Sequence, residues 1–146
     1  MLCSATSPEA RSIAAKLLLD EIGVQPCNDL EALFWTNEKN DIEWVVGYTA
    51  FIGKTCQMHV ISFNRAYCPR KFIQGAFDYA FNHREREKVF GIVNSLNKEA
   101  MQYDTKLGFK EAVRFNGVHD DGGDLVVLEM DKANCRWIKG YKNEHA

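Results

Sequence analysis

Three cationic side chains lie close together near the middle of the chain. Arg65, Arg70 and Lys71 flank Pro69, a residue that favours the first position of a helix, and residues 55–63 before them read as a strand. The first turn of a helix presents free backbone N–H groups and a partial positive charge. Together with the three side chains, such a turn suits a phosphate or pyrophosphate group. A solvated basic loop beside a helix start is the alternative.

A histidine lies in the middle of the strand that precedes these cations. His59 alternates with Gln57 and Ile61, so the three side chains are predicted to share one face. Imidazole has an unperturbed pKa of about 6.5, which suits a general base at neutral pH. A packed or solvent-facing histidine is the alternative. Glu43, on the preceding strand, is a second candidate base, and simple surface exposure is its alternative.

Two other groups could carry chemistry but have plainer interpretations. Cys68 lies beside the same predicted helix start, which would lower the pKa of its thiol, but no histidine partner for a nucleophile is close in sequence. Residues 120–124 are rich in aspartate and glycine. They lack the ligand spacing of a calcium loop, so a hairpin turn is the prediction there.

The bulk properties limit the class of protein. The chain has 146 residues and a formal net charge of -2, which predicts one domain (with a polar tail over 139–146) and does not indicate nucleic-acid binding. Its five cysteines are an odd number at wide spacings, which predicts reduced thiols, no disulfide framework and no zinc site. No apolar run approaches the ~20 residues that span a bilayer. We therefore expect a cytoplasmic protein with no metal and no membrane partner.

The elements that must position these residues alternate between helices and strands. Ser7 and Pro8 predict the start of a helix, and Gly23 predicts its end. The further predicted elements are strands at 30–35, 42–52 and 55–63, a helix from 69 to about 83, a strand at 88–93, a helix at 97–107, strands at 109–115 and 125–130, and a short closing helix at 131–138.

This order predicts an α/β (α+β) fold with a mixed, mostly antiparallel sheet. The strand–helix–strand unit in its centre requires a crossover that leaves strands 55–63 and 88–93 parallel and adjacent. Within strand 42–52, the two-residue period predicts that Trp44, Val46, Tyr48 and Ala50 share one face.

The segment from Asn97 to Phe109 resembles a signature of the GNAT N-acetyltransferases. In that family an asparagine after a strand is followed three residues later by alanine, here Ala100, and the helix closes with Lys-x-Gly-Phe, here residues 106–109. The element order is also similar to the GNAT fold, so the resemblance covers about residues 8–130. The chain looks especially like compact members encoded by bacteriophages, whose ends resemble residues 126–137.

The resemblance implies a GNAT fold whose central parallel strands splay apart. It implies transfer of an acetyl group from acetyl-CoA to an amine by direct attack. In the family the pantetheine arm enters the splay like an extra strand, which here would pair with backbone at Ile61, Ser62 and Phe63. Asn97 would bond the same arm, Lys106 belongs to the implied co-substrate site, and the three cations would hold the phosphates.

Two features depart from the family pattern. The family's phosphate loop is rich in glycine, whereas residues 65–71 contain none and Gly75 comes first after them. The family's frequent general acid, a tyrosine seven residues after the asparagine, is replaced by Asp104, and Tyr103 lies one residue earlier, about 100° around the helix. His59, Asp104 and Tyr103 are therefore the candidate catalytic residues.

The acceptor amine is left open between a small molecule and a protein. The first helix and residues 116–124 are predicted to line its groove. A weaker likeness to ribosomal-protein acetyltransferases suggests protein N-termini as acceptors. A non-catalytic GNAT-fold protein, with a phage structural or host-interaction role, is the alternative from another class. A homodimer is also left open.

Overall fold

The computed structural model describes residues 1–63 and 67–142, which form seven strands and three α-helices. The strands are β1 (Leu2–Ser4), β2 (Glu31–Thr36), β3 (Ile42–Ile52), β4 (Thr55–Ser62), β5 (Lys88–Asn94), β6 (Lys110–Phe115) and β7 (Leu125–Asp131). The helices are α1 (Pro8–Ile22), α2 (Arg70–Asp78) and α3 (Lys98–Leu107). None of these helices combines the length and the apolar character needed to cross a bilayer.

All seven strands form one sheet in the order β1-β2-β3-β4-β5-β7-β6. Every neighbouring pair is antiparallel except β4 and β5, which α2 connects as the predicted parallel crossover. The mixed, mostly antiparallel sheet predicted from the sequence is therefore confirmed.

The predicted helix ends are confirmed by their caps. Ser7 Oγ accepts a hydrogen bond from the Ala10 N–H at 3.1 Å, and Gly23 ends α1 with a φ of 70°. At α3, Asn97 Oδ1 accepts from the Ala100 N–H at 3.2 Å, and Gly108 ends the helix with a φ of 114°.

Several predicted elements need correction. Strand β1 was not predicted, because three residues are too few to show a period. The helix predicted to run to about residue 83 is α-helical only to Asp78 and then continues as a π-helical segment, Tyr79–His83. The predicted closing helix is replaced by two short 3-10 turns, Lys132–Asn134 and Arg136–Ile138, because β7 extends to Asp131.

The two faces of the sheet are covered by different helices. Helix α1 buries Ala14 and Leu18 in a cluster on one face, and Ile61 of β4 belongs to that cluster. Helices α2 and α3 cover the other face, where the buried residues include Trp44, Val46, Tyr48, Phe72, Phe77 and Leu107. The shared face predicted for the first three of these is confirmed. Ala50 was wrongly included, because it is exposed, has a φ of 52° and lies in a β-bulge.

Strands β4 and β5 are joined only at one end. Their parallel register pairs Thr55 with Lys88, Cys56 with Val89 and Gln57 with Phe90, and then it stops. Beyond that point β4 remains paired with β3 up to Ser62, and β5 remains paired with β7 up to Asn94. The two strands therefore diverge and leave a gap in the middle of the sheet.

Replacing Gly47 by alanine should destabilise the fold. A Cβ atom at Gly47 would lie 2.5 Å from Leu18 Cδ1, and Leu18 is fully buried, so the Leu18 side chain or α1 itself would have to shift. We expect a loss of about 1–3 kcal/mol in the free energy of unfolding, measured by urea denaturation. Gly91→Ala is the matched control, because its Cβ would meet nothing within 4 Å. Equal stabilities of the two variants would show that α1 does not press on Gly47.

Candidate functional site

The gap between β4 and β5 opens into a large cleft with a volume of about 1180 Å³. Its lining comes from both faces of the sheet. On the α1 face it includes Gln57, His59 and Ile61, and on the opposite face Phe72 and Tyr103 contribute to it. A ligand in this cleft would therefore pass through the sheet rather than lie on one side of it.

The α1 face contributes a histidine with one ring nitrogen already bonded. His59 Nε2 and Thr49 Oγ1 share a hydrogen bond at 2.7 Å. Burial lowers the pKa of His59 to about 4, so the ring is neutral at physiological pH. The end of α1, at Glu21 and Ile22, lines the cleft on this side together with residues 23–25 and Cys27. That the first helix lines a groove for the acceptor stays a prediction.

The opposite face contributes a tyrosine that is bonded to a cysteine. The Tyr103 hydroxyl donates to Cys68 Sγ at 3.1 Å, and the Tyr103 ring stacks on Trp44 at a centroid distance of 6.4 Å. Burial raises the pKa of Tyr103 far above its ordinary value, so the hydroxyl stays protonated. Burial also raises the pKa of the Cys68 thiol. The expectation of a lowered pKa at Cys68 was wrong, because desolvation of the thiol outweighs the hydrogen bond from Tyr103, which lowers that pKa.

Asp104 lines the cleft beside Tyr103 and is half-buried. Burial raises the pKa of its carboxyl group to about 6. A carboxyl group with this pKa can exchange a proton near neutral pH, as a general acid or base must. Asp104 and His59 thus contribute titratable groups to the same cleft from opposite faces of the sheet.

Asn97 also lines the cleft, at the start of α3. Its side-chain oxygen accepts one hydrogen bond as the helix cap, whereas no bond to a described residue occupies its Nδ2 group, so Nδ2 is the donor that Asn97 offers to a ligand. The predicted amide contact at Asn97 is therefore made most directly by Nδ2.

Along β4, the backbone groups of alternate residues face the gap and are free of β3. The Phe63 N–H donates to the Glu43 carbonyl oxygen of β3 at 2.8 Å, so the Phe63 amide faces away from the gap. Because backbone groups alternate along a strand, those of Val60 and Ser62 face the gap instead. Of the predicted residues, Ser62 thus keeps a backbone edge for a ligand, whereas Ile61 contributes its buried side chain to the wall.

The predicted phosphate site is described only in part. Arg65 lies outside the described residues. Arg70 and Lys71 are exposed in the first turn of α2, and the Arg70 guanidinium lies 5.3 Å from the centroid of the Trp137 ring. The side chain of Pro69 supplies no cap.

Two other predicted residues lie away from the cleft lining. Lys106 is exposed in the last turn of α3, and Glu43 contributes its backbone carbonyl to the sheet. Neither residue is among those that line the cleft. The co-substrate role of Lys106 stays a prediction.

The segment 116–124 is a turn fixed by aspartates. Asp121 accepts hydrogen bonds from Asn94 Nδ2 and from the Gly123 N–H, and Asp124 accepts from the Gly117 N–H and from Arg114. These bonds hold the pKa values of both aspartates below their ordinary range. Among the described residues no group of side chains could hold a metal ion.

The turn brings His119 to the cleft, and the lining of an acceptor groove by residues 116–124 stays a prediction. His119 Nε2 and Trp44 Nε1 are buried ring nitrogens that find no hydrogen-bond partner within residues 1–63 and 67–142. Both belong to cleft-lining residues. Buried polar atoms are normally bonded, so this region suits a ligand with hydrogen-bonding groups.

The charged side chains that line the cleft are all acidic. Three carboxylate residues line the cleft, namely Glu21, Glu99 and Asp104. Within the described part of the chain no lysine or arginine does so. The cations Arg70 and Lys71 lie at the α2 start instead, so the cleft itself favours a positively charged ligand group.

Sequence reasoning missed Thr49 and did not assign Trp44 to the cleft. Thr49 stands inside an otherwise apolar strand, and nothing in its spacing connects it with His59. A polar residue in such a strand was the available signal. Trp44 was predicted only to share a face with Val46 and Tyr48, and it is buried with 8% of its surface exposed.

Comparisons with known proteins identify the fold of the chain. No protein-family model matches the sequence, and no curated protein matches it. Solved structures of the spermidine N-acetyltransferase SpeG from Vibrio cholerae are similar. One SpeG mutant shares 13% identity over 97% of this chain and 98% of its own, with a TM-score of 0.73. A chimera of SpeG and hSSAT shares 15% identity over 91% and 97%, with a TM-score of 0.71. A dodecameric SpeG structure shares 13% over 91% and 94%, with a TM-score of 0.72. The chain therefore has the GNAT fold.

Proposed function

We propose that this chain is an acetyl-CoA-dependent N-acetyltransferase that acts on an amine by direct attack. The observation that carries the proposal is the cleft where β4 parts from β5, in a chain with the fold of the SpeG acetyltransferases. The cleft passes through the sheet, so an acyl donor and an acceptor amine can meet in it from opposite faces.

The residues at the gap fit the pantetheine arm of acetyl-CoA. That arm carries two amides, which match the free backbone edge of β4 at Val60 and Ser62 and the Nδ2 donor of Asn97. Trp44 and His119 line the same cleft, and their ring nitrogens Nε1 and Nε2 have no hydrogen-bond partner among the described residues. When bound, acetyl-CoA supplies a thioester whose carbonyl carbon is open to attack by an amine.

The phosphates of acetyl-CoA belong at the start of α2 in this proposal. The first intrahelical bonds there are made by the N–H groups of Phe72 and Ile73, both to the Pro69 carbonyl. The N–H groups of Arg70 and Lys71 precede them, and both side chains are cationic. Arg65 is proposed to join this group, and Lys106 is proposed to bind from α3.

The acceptor is proposed to be a cationic amine. It would enter on the α1 side, where Glu21 stands at the rim, and meet a cleft lined by carboxylates. The similar solved structures are named as spermidine N-acetyltransferases, so spermidine is the first acceptor to test. A protein N-terminus is also a cationic amine and is the second.

Four groups are proposed to act on the reaction itself. His59 accepts the proton that the attacking amine loses, and a β4 backbone N–H facing the gap stabilises the oxyanion. Asp104 in its neutral form gives a proton to the departing thiolate. Tyr103 is also a candidate donor, because its hydroxyl stays protonated and already bonds a sulfur atom.

The direct test is calorimetry with acetyl-CoA followed by a turnover assay. We expect acetyl-CoA to bind and the release of free CoA thiol to depend on an added amine, with spermidine and an N-terminal peptide tested separately. Mass spectrometry of the products identifies the acetylated nitrogen. Absence of acetyl-CoA binding would overturn the proposal.

A non-catalytic protein with this fold is the second candidate. The observation that favours it is the Tyr103 hydroxyl, which is bonded to Cys68 rather than left open. Acetyl-CoA that binds but is never consumed with any amine, peptide or RNA would support this candidate and exclude the first.

Asn97 offers a test that separates helix capping from ligand binding. Asn97→Ala removes the cap and should cost about 1 kcal/mol of stability, whereas Asn97→Asp keeps a good cap. Both variants lose the Nδ2 donor, so we expect both to bind acetyl-CoA more weakly in calorimetry. Weaker binding by the alanine variant alone would mean that Asn97 acts only through the helix.

Asp104 gives the reaction a pH dependence with a defined sign. Its neutral form in the free protein is lost as the pH rises through about 6, so an acid predicts a kcat/KM that falls over that range. Asp104→Asn should remove this fall with rising pH and lower kcat by about 100-fold or more. Asp20→Asn, an exposed change on α1, is the control. A wild-type kcat/KM that instead rises through pH 6 would assign Asp104 as a base.

The remaining expectations stay predictions. A bacteriophage origin rests on the likeness of residues 126–137, and a cytoplasmic location rests on the cysteine pattern. One solved relative is described as dodecameric, which supports self-association, with a homodimer as its smallest form. A single domain over 1–146 is likewise predicted.

A further inference from the structure

Thr49 is an unusual residue for its position in the core. Aromatic residues aside, it is the only polar side chain buried in the described part of the chain, at 7% exposed. Its Oγ1 bonds His59 Nε2 at 2.7 Å. A buried hydroxyl costs free energy unless it is bonded, so the contact with His59 is what accommodates Thr49.

A β-bulge creates this contact. The turn pairs Ile52 with Thr55, and an undisturbed register would then pair Thr49 with Met58, whose side chain lies on the α2 face. In the structure Thr49 pairs with Gln57 instead, so the register is shifted by one residue. Because a slip of one residue moves a side chain to the other face, the bulge brings Thr49 to the face of His59.

The bulge is held by a strained residue. Ala50, directly after Thr49, has a φ of 52°, a conformation that is unfavourable for any residue with a Cβ atom. Strain of this kind persists only where the surrounding structure enforces it, and it is common at functional sites. The strain therefore lies directly beside Thr49 and its contact with His59.

We propose that Thr49 is a positioning residue that fixes His59 in the tautomer with a proton on Nε2, leaving Nδ1 as the proton acceptor. This inference rests on the proposed acetyl transfer. Thr49 Oγ1 occupies Nε2, so only Nδ1 can exchange a proton with a substrate. For Nδ1 to accept that proton, Nε2 must carry its own and donate it to Oγ1.

The proton balance of the step is closed. The bound cationic amine first loses one proton to solvent, and its neutral nitrogen then forms a bond to the thioester carbonyl carbon while the carbon–sulfur bond breaks. The second proton lost by nitrogen goes to His59 Nδ1, and the departing thiolate is protonated by Asp104. The imidazolium then returns its proton to solvent, solvent reprotonates the Asp104 carboxylate, and Thr49 holds Nε2–H throughout.

The electrostatic surroundings of His59 are compatible with this cycle. The other ionisable residues that line the cleft are Glu21 and Cys27 near the end of α1, Glu99, Tyr103 and Asp104 from α3, and His119. Burial of the ring opposes an imidazolium in the resting protein. The neutral ring is therefore the resting state, and its tautomer decides which nitrogen is basic.

Three variants test the inference in the full-length protein. Thr49→Val keeps the size and the strand preference but removes the hydroxyl, and Thr49→Ser restores it. Thr55→Val removes a hydroxyl from the same hairpin, where Thr55 bonds the Ile52 carbonyl at 2.8 Å, and it is the matched control. The tautomer of His59 is read from the 15N chemical shifts of its ring in histidine-labelled protein without substrate.

We expect wild type, Thr49→Ser and Thr55→Val to show Nε2–H, and Thr49→Val to show the other tautomer or a mixture. With spermidine, Thr49→Val should lower kcat about tenfold or more and leave the KM for acetyl-CoA unchanged, and Thr49→Ser should recover most of kcat. Nδ1–H in the wild type, or an unchanged tautomer in Thr49→Val, would overturn the inference. Absence of turnover in the wild type would instead overturn the proposed function and the catalytic part of the inference with it.

Discussion

Backbone amide and carbonyl groups inside a protein must be hydrogen-bonded, and the parting of β4 from β5 withdraws sheet partners from several of them. Neither strand can bend back to close the gap. Strand β4 is held to β3 up to Ser62, and β5 is held to β7 up to Asn94. The gap must be filled by water or by a ligand that presents its own donors and acceptors. The other features of the site are arranged around this gap.

The separation of charge follows from the same geometry. The gap widens toward the end of β4, where the chain leaves the sheet and then enters α2, so the cations at Arg70 and Lys71 stand beyond the open end. The cleft itself carries Glu21, Glu99 and Asp104. An anionic ligand group can therefore bind at the start of α2 while a cationic ligand group binds in the cleft. A CoA thioester and a protonated amine have this distribution of charge, and attraction of each to its own end would align them before reaction.

The fold was largely predictable because its signals are local. Caps at Ser7, Gly23 and Gly108 fixed the helix ends, and the parallel crossover followed from the order of elements. The site was less predictable because it depends on contacts between distant segments. No sequence period reveals that Ala50 adopts a positive φ, and without that bulge the register set by the turn would pair Thr49 with Met58 rather than with Gln57. The pKa of Cys68 was misjudged for the same reason, because burial is a tertiary property.

In the proposed reaction Asp104 stands where the GNAT pattern has a tyrosine, and this exchange alters how a proton donor is made available. A phenol stays protonated over the whole physiological range, and burial strengthens that tendency, as it does in Tyr103. A carboxylic acid donates only when desolvation holds its pKa near neutrality, as burial already does to about 6 in Asp104. Filling the cleft would remove more water from Asp104 and raise its pKa further. The donor would then be protonated most fully when a thioester lies beside it, so that in this chain acidity is coupled to occupancy of the gap.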